Sequence, residues 1–298
     1  MEAQAKLNLV LRVLGREATG YHRIETLFCR IALSDSVLVR ATPSGRSIEC
    51  RGPRVPSGGL GSPEKNLAYR AAVSYAESTG FPAGFSIAVE KRIPVGGGLG
   101  GGSADAGAVL RALNAMNPRP LASPELLGIA SSLGADVPFL TQDESAMAIG
   151  RGYGDRLEVV PALPSRAVWL LVPDAGVSTA DAYRWLDASA RPTPTAPMTR
   201  DHLGNWEQVA ARASNDFESV VGVSVPLVGR LLRALRGGEM EAVLGPEAIV
   251  LMSGSGSTVA VISGERPRAN WSPFPAIDGV DIVETETSTF VEPVVLTH

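Results

Sequence analysis

Gly96-Gly97-Gly98-Leu99-Gly100-Gly101-Gly102-Ser103 places six glycines among eight residues. An apolar stretch at 85–91 runs into it, and an alanine- and leucine-dense stretch at 103–116 runs out. The pattern predicts strand, turn, helix, with Ser103 as N-cap. Glycines permit backbone angles that a Cβ forbids and let a ligand come close to the chain. Free amides at the helix start, with the helix dipole behind them, suit an anion such as phosphate. A turn this rich in glycine with no ligand would carry its entropic cost for nothing.

Two other phosphate-binding patterns can be tested against this segment. A P-loop needs a Gly-Lys pair followed by Ser or Thr, and no Gly-Lys pair occurs in the chain. Gly96, Gly98 and Gly101 match Gly-x-Gly-x-x-Gly formally. A dinucleotide fold would then carry an acidic residue at the end of a second strand about 20 residues on. Met116-Asn117-Pro118 stands there instead.

Around the turn, residues 5–14 alternate apolar residues with Lys6, Asn8 and Arg12, which predicts a strand with one polar face. Strands are expected at 24–33, 37–40 and 85–91, and helices at 66–78, 103–116 and 124–133. The second half offers a fully apolar strand at 167–172 and helices at 179–190 and 225–236. Paired strands are expected at 248–252 and 258–262, around Ser253-Gly254-Ser255-Gly256-Ser257, and closing strands at 280–284 and 290–296. Proline-rich stretches at 191–197 and 266–275 read as loops. The order indicates an α+β protein. Glycines at 150, 152 and 154 followed by Pro161 and Pro164 suggest a division into residues 1–155 and 156–298.

The 298 residues carry a net charge of −4, so no general polyanion-binding surface is implied and nucleic acid is not an expected partner. Two cysteines, Cys29 and Cys50, fit neither a disulfide framework nor a metal-ligand spacing. No apolar run is long enough for a membrane span, and the start does not read as a signal peptide. The expected compartment is the cytoplasm. Of the 27 lysines and arginines only three are lysines, Lys6, Lys65 and Lys91. Lysine is thus a candidate wherever an amine is chemically needed.

Phosphoryl transfer needs positioning, charge neutralisation and a group for the hydroxyl proton. Asp136, in Leu133-Gly134-Ala135-Asp136-Val137-Pro138-Phe139, is flanked by apolar residues, which suggests a buried carboxylate. Lys6 sits in an apolar strand and could pair with it; a strand-edge lysine is the plainer alternative. Gly254 and Gly256 suit close backbone approach or a simple hairpin turn. Tyr21-His22 follows Gly20, where a lone histidine is as readily structural as functional. Asp105, in the first turn of the expected helix, is accounted for by dipole compensation.

Three segments in order carry a family resemblance: Ala5-Lys6-Leu7-Asn8-Leu9 with Gly20-Tyr21-His22, then Pro94 through the glycine turn to Ser103, then Met252-Ser253-Gly254-Ser255-Gly256-Ser257. Lys65-Asn66-Leu67, the Gly-Ala-Asp-Val-Pro-Phe run and Asn215-Asp216-Phe217-Glu218 join them. Together they resemble the GHMP kinases, and within them the branch acting on a cytidine-diphosphate-linked methylerythritol.

The resemblance implies an N-terminal ribosomal-protein-S5-like ATP domain, a C-terminal ferredoxin-like α/β-plait domain and a site between them. It implies ATP and Mg²⁺, no identified metal ligand, a small-molecule alcohol substrate and a monomer or weak homodimer. Asp136 would be the general base for a 2-hydroxyl, with Lys6 beside it keeping the carboxylate ionised. Pro94, Gly96, Gly97, Gly98, Leu99, Gly100, Gly101, Gly102 and Ser103 would wrap the ATP phosphates, and Asn66 would hold adenine. Asn8, Tyr21, His22, Thr179 and Tyr183 would bind the substrate, His22 at the cytosine edge.

The chain departs from the family pattern in three places. Gln4 stands where proline is usual, Ala104 where a second serine is usual, and prolines at 267, 273 and 275 follow the third motif in place of an amphipathic helix. A kinase for another alcohol gives Tyr21-His22 no purpose, and a binding protein without catalysis gives Asp136 none.

Overall fold

The structure, a computed structural model, describes residues 1–189, 196–264 and 274–297. The first strand, β1 (Glu2–Arg16), is buried without interruption from Ala3 to Leu11. Its polar residues Gln4, Lys6 and Asn8 are therefore enclosed rather than turned to solvent. Antiparallel to it lies β2 (His22–Thr42), a single strand of 21 residues where the sequence suggests two. The polar Ser34-Asp35-Ser36 that implied a break is accommodated because the Asp35 carboxylate, fully buried, has partners described below.

The first sheet continues through β3 (Arg46–Arg51), α1 (Leu67–Thr79) and β4 (Gly84–Glu90), with β3 and β4 parallel on either side of the helix. The helices α2 (Gly101–Met116), α3 (Ser123–Leu133) and α4 (Val137–Thr141) follow. Residues 104–113 of α2 are all buried, Asp105 and Arg111 among them, because the helix is covered on every face. Gly107 lets α2 and α4 touch: a Cβ there would lie 2.5 Å from the Leu140 carbonyl oxygen. The hairpin β5 (Met147–Arg151) and β6 (Arg156–Val160) pairs back onto β2.

The rest of the chain supplies β7 (Ala167–Pro173), α5 (Thr179–Asp187), α6 (Trp206–Ala210) and the short β8 (Ser214–Asn215), which joins β1. After these come α7 (Glu218–Ser224), α8 (Pro226–Leu235), α9 (Gly238–Leu244), β9 (Ile249–Met252), β10 (Val259–Ile262) and β11 (Val280–Glu286). The second sheet has the order β11-β7-β10-β9, antiparallel throughout. This is the 4-1-3-2 order of a ferredoxin-like split βαβ sheet. Val168, Leu170, Ala260 and Ile262 face the core shared with the first sheet; Trp169, Leu171, Val259 and Val261 face the helices α5, α7 and α8. A sheet covered on both faces explains the unbroken apolar run of β7.

Hydrogen bonding places β6 with the first sheet, so we propose that the division between the two units falls within residues 161–166 rather than at 155. The prolines at 267 and 273 and the loop at 191–195 lie outside the described residues.

Residues 290–296 form no strand, contrary to the sequence expectation. The first of them are held by side chains instead. Gln4 Nε2 donates to Ser288 Oγ (2.9 Å) and to the Phe290 carbonyl (3.3 Å), and Gln4 Oε1 accepts from the Glu292 amide (3.0 Å). Arg111 donates to the Glu292 carbonyl (2.7 Å). Proline at position 4 could make none of these side-chain bonds, so the departure from the family pattern is matched by a local tail contact.

A buried ionic cluster braces the glycine turn at both ends. Lys91, just after β4, pairs with Asp35 of β2 and, at 2.6 Å, with Asp105 of α2. The other Asp35 oxygen accepts the amides of Arg92 (2.5 Å) and Ile93 (2.8 Å), which lead into the turn. Asp105 therefore does more than offset the helix dipole. Burial pushes its carboxyl up to about 7; the Lys91 charge opposes that rise and the Asp35 charge adds to it.

Gln4→Leu should cost about 1 kcal/mol, since it strands one buried and two partly buried partners, and should expose residues after 287 to limited proteolysis; urea denaturation and mass mapping read both. Asp105 binds its proton up to about 7 when folded and only to the usual 3.8 when unfolded, so folding takes up a proton in that window. Its stability contribution is present at low pH and lost as pH rises from about 4 to 7. Denaturation across that range should show a flatter slope in Asp105→Asn; an unchanged slope would contradict the assignment.

Candidate active site

The glycine turn, β1, the start of β2, the end of α3 with the loop to Asp136, and α5 surround one cleft of about 1440 Å³. Every residue nominated from the sequence lines it: Lys6, Asn8, Tyr21, His22, Asn66, Pro94, residues 96–103, Asp136, Thr179 and Tyr183.

The turn is held from below by the third glycine segment. Ser253 Oγ donates to the Gly98 carbonyl (3.0 Å), and the Thr258 amide donates to the Gly97 carbonyl (3.3 Å). Gly98 adopts φ +79°, and a Cβ on it would lie 2.1 Å from the Ser253 carbonyl oxygen. Both its backbone angle and its packing exclude a side chain. The segment 253–257, ambiguous in sequence, is thus the support of the turn. The cap at the helix start differs from expectation. Gly100, at φ 73°, is the N-cap, and Ser103 lies in the first turn with its hydroxyl free of capping duty. The helix starts earlier because glycine alone enters it from the left-handed region.

Lys6 connects the turn to the acid. Its ammonium donates to Asn8 Oδ1 (2.5 Å) and the Gly98 carbonyl (2.8 Å), and lies 3.3 Å from Asp136 Oδ2. Asn8 is fixed in turn by Thr26 Oγ1 at 2.8 Å. Lys6 is 3% exposed and Asp136 31%. Asp136 is therefore not the buried carboxylate its neighbours suggested. The apolar side chains after it, Val137, Pro138 and Phe139, turn into the core as α4 while the acid stays at the cleft. Arg30, itself buried, secures α4 by donating to the Phe139 (2.7 Å) and Gln142 (2.9 Å) carbonyls at its end.

At the far wall, His22 and Tyr183 stack with ring centroids 4.4 Å apart and planes 15° apart. Tyr183 also meets Phe217 edge-on at 4.9 Å. Burial, and then the charge of Asp136, push the Tyr183 phenol up to about 12, so it is a neutral donor. Tyr21 is 66% exposed and presents a ring to the cleft. Thr179 Oγ1 lies 3.0 Å from Ser255 Oγ, linking α5 to the turn's support. Asn66 caps α1, accepting the Ala68 amide at 2.9 Å, so it serves the fold as well as the cleft.

Reading the sequence overlooked Arg16, Asp187 and Lys91, which also line the cleft. Asp187 falls four residues after Tyr183, on the same helical face, a spacing that could have flagged it. Lys91 carried one hint, the scarcity of lysine.

Comparison with known proteins identifies the family. The family model described as GHMP kinases N terminal domain matches residues 66–143. The chain is 39% identical over 272 residues to the 4-diphosphocytidyl-2-C-methyl-D-erythritol kinase of Moorella thermoacetica, covering 89% of this chain and 90% of that one. It is 38% identical over 259 residues to the protein of the same name from Syntrophotalea carbinolica, covering 86% of each. A crystal structure titled 4-(cytidine 5'-diphospho)-2C-methyl-D-erythritol kinase superposes with a TM-score of 0.69 at 36% identity, covering 89% of this chain and 90% of that one. With relatives this similar along nearly their whole length, the chain belongs to the 4-diphosphocytidyl-2-C-methyl-D-erythritol kinase family of the GHMP kinases, with their two-domain α+β fold.

Proposed function

We propose that this chain transfers the γ-phosphoryl group of ATP to the 2-hydroxyl of 4-diphosphocytidyl-2-C-methyl-D-erythritol, a step in the methylerythritol phosphate route to isoprenoid precursors. The observation that carries the reading is the Lys6 ammonium, which contacts both the glycine turn and the Asp136 carboxylate at the cleft.

In this reading the free amides of residues 96–103 and the start of α2 bind the phosphates. Asp136 accepts the proton of the attacking hydroxyl, as a base within reach of it must. Lys6 holds that carboxylate in place and offsets negative charge growing between hydroxyl and phosphate. Asn8 fixes the lysine. Asn66 and Pro94 border the nucleotide, and Tyr21, His22, Thr179 and Tyr183 border the cytidyl end.

Among the described residues no cluster of three His, Cys, Asp or Glu side chains could hold a metal ion. A Mg²⁺ ion brought with the nucleotide would be held mainly by phosphate oxygens and water and would neutralise phosphate charge. The Ser103 hydroxyl, in the first turn of α2 and lining the cleft, would be the side chain to meet it. No helix among the described residues is long and apolar enough to cross a membrane. We place the enzyme in the cytoplasm, as a monomer or weak homodimer.

An ATP-consumption assay across candidate alcohols tests the substrate; activity on a mevalonate-type alcohol with none on the cytidyl compound would overturn it. Asp136→Asn should lower turnover by about 10²–10⁴-fold while nucleotide binding, followed by titration, survives. Gly98→Ala should displace the turn and lower kcat/KM for ATP by about 10²-fold, with far-ultraviolet dichroism unchanged.

A further inference from the structure

His22, at the start of β2, and Asp187, at the end of α5, meet at the far wall of the cleft. His22 Nε2 lies 2.7 Å from Asp187 Oδ1. The other carboxylate oxygen, Oδ2, lies 3.4 Å from an Arg16 guanidinium nitrogen. Arg16 Nε also donates to the Gly20 carbonyl (3.3 Å), so the same side chain holds the turn that presents Tyr21. The His22 side chain is 8% exposed and that of Asp187 28%. The imidazole face rests on Tyr183, one helical turn before Asp187. Ring plane and ring rotation are thus both set by α5.

An ionised carboxylate only accepts hydrogen bonds, so the proton sits on Nε2. In the neutral ring Nδ1 is then an acceptor. It makes no hydrogen bond to any described residue, and the His22 side chain lines the cleft. Arg16 offsets the carboxylate's charge from the side away from the ring. An acceptor at Nδ1 suits an exocyclic amino group, which cytosine carries at C4. Uracil carries an oxygen acceptor there, which would face Nδ1 with no proton between them.

We propose that Asp187, braced by Arg16, is a positioning residue that fixes His22 with Nδ1 as acceptor and thereby selects an amino-bearing over an oxo-bearing pyrimidine in the substrate. This rests on the functional reading above, in which His22 meets the base. Neither Asp187 nor Arg16 touches the reacting atoms; both act through the imidazole.

The test compares the full-length wild-type chain with Asp187→Asn. The asparagine is nearly isosteric, but its amide can either accept or donate, so it no longer dictates the tautomer. Nitrogen-15 spectra of the imidazoles, assigned by loss of a signal in His22→Ala, report the tautomer without substrate. Steady-state kinetics use the cytidine- and uridine-diphosphate-linked methylerythritols. The wild type should show Nε2–H and prefer the cytidine compound by about 10²-fold or more. In Asp187→Asn the KM for the cytidine compound should rise about tenfold, and the preference should fall with it. A wild-type Nδ1–H tautomer, an unchanged preference, or an equal loss of kcat on both compounds would overturn the assignment. If the cytidine compound is turned over and only the preference fails to respond, the functional reading stands and this inference falls. If neither compound is turned over, both fall.

Discussion

The Lys6 ammonium is the contact on which the site depends. It is buried in β1, and burying a charge is costly unless the charge is paired and hydrogen-bonded. Its three neighbours satisfy that need: the Gly98 carbonyl, the Asn8 amide oxygen and the Asp136 carboxylate. They come from the glycine turn, from β1 itself and from the start of α4. One buried charge thus fixes the phosphate-binding backbone and the acid in a single frame. Turn, lysine and acid each have a bland reading alone; their mutual contact gives them a shared one.

The surroundings repeat the principle. Lys91 is likewise buried, and its two carboxylate partners hold the backbone entering the turn and the helix leaving it. The support at 253–258 closes the turn from the second sheet. The turn is therefore preorganised from three directions before any ligand arrives. Preorganised donors need little rearrangement when charge moves to them, which is what phosphoryl transfer requires of a site.

Much of this was legible in the chain. The glycine spacing announced strand, turn and helix, and the apolar runs located β7, β9, β10 and the long helices, because local periodicity reports burial directly. Other features were not. The single long β2 looked like two strands, since a buried aspartate in mid-strand is read as a breaker until its lysine is seen. β5 and β6 were overlooked because short strands next to glycines carry weak periodicity. The tail at 290–296 has strand-like composition, yet the Phe290 carbonyl and the Glu292 amide and carbonyl are taken by Gln4 and Arg111.

The sequence by itself determined the residue types able to do the chemistry: a flexible turn that admits an anion, a lysine in an apolar strand, an acid ahead of a proline. Only the tertiary structure decided how they meet. It put 92 residues of separation into one 2.8 Å bond between Lys6 and the Gly98 carbonyl. It left Asp136 at the cleft edge rather than in the core, moved the cap from Ser103 to Gly100, and brought Asp187 to His22 across 165 positions. The reason is physical. Propensity and periodicity act over a few neighbouring residues, whereas buried charge and backbone approach are settled by whatever the fold brings alongside. The glycine turn shows both: its flexibility is written in the sequence, and its fixed shape is imposed by the groups packed against it.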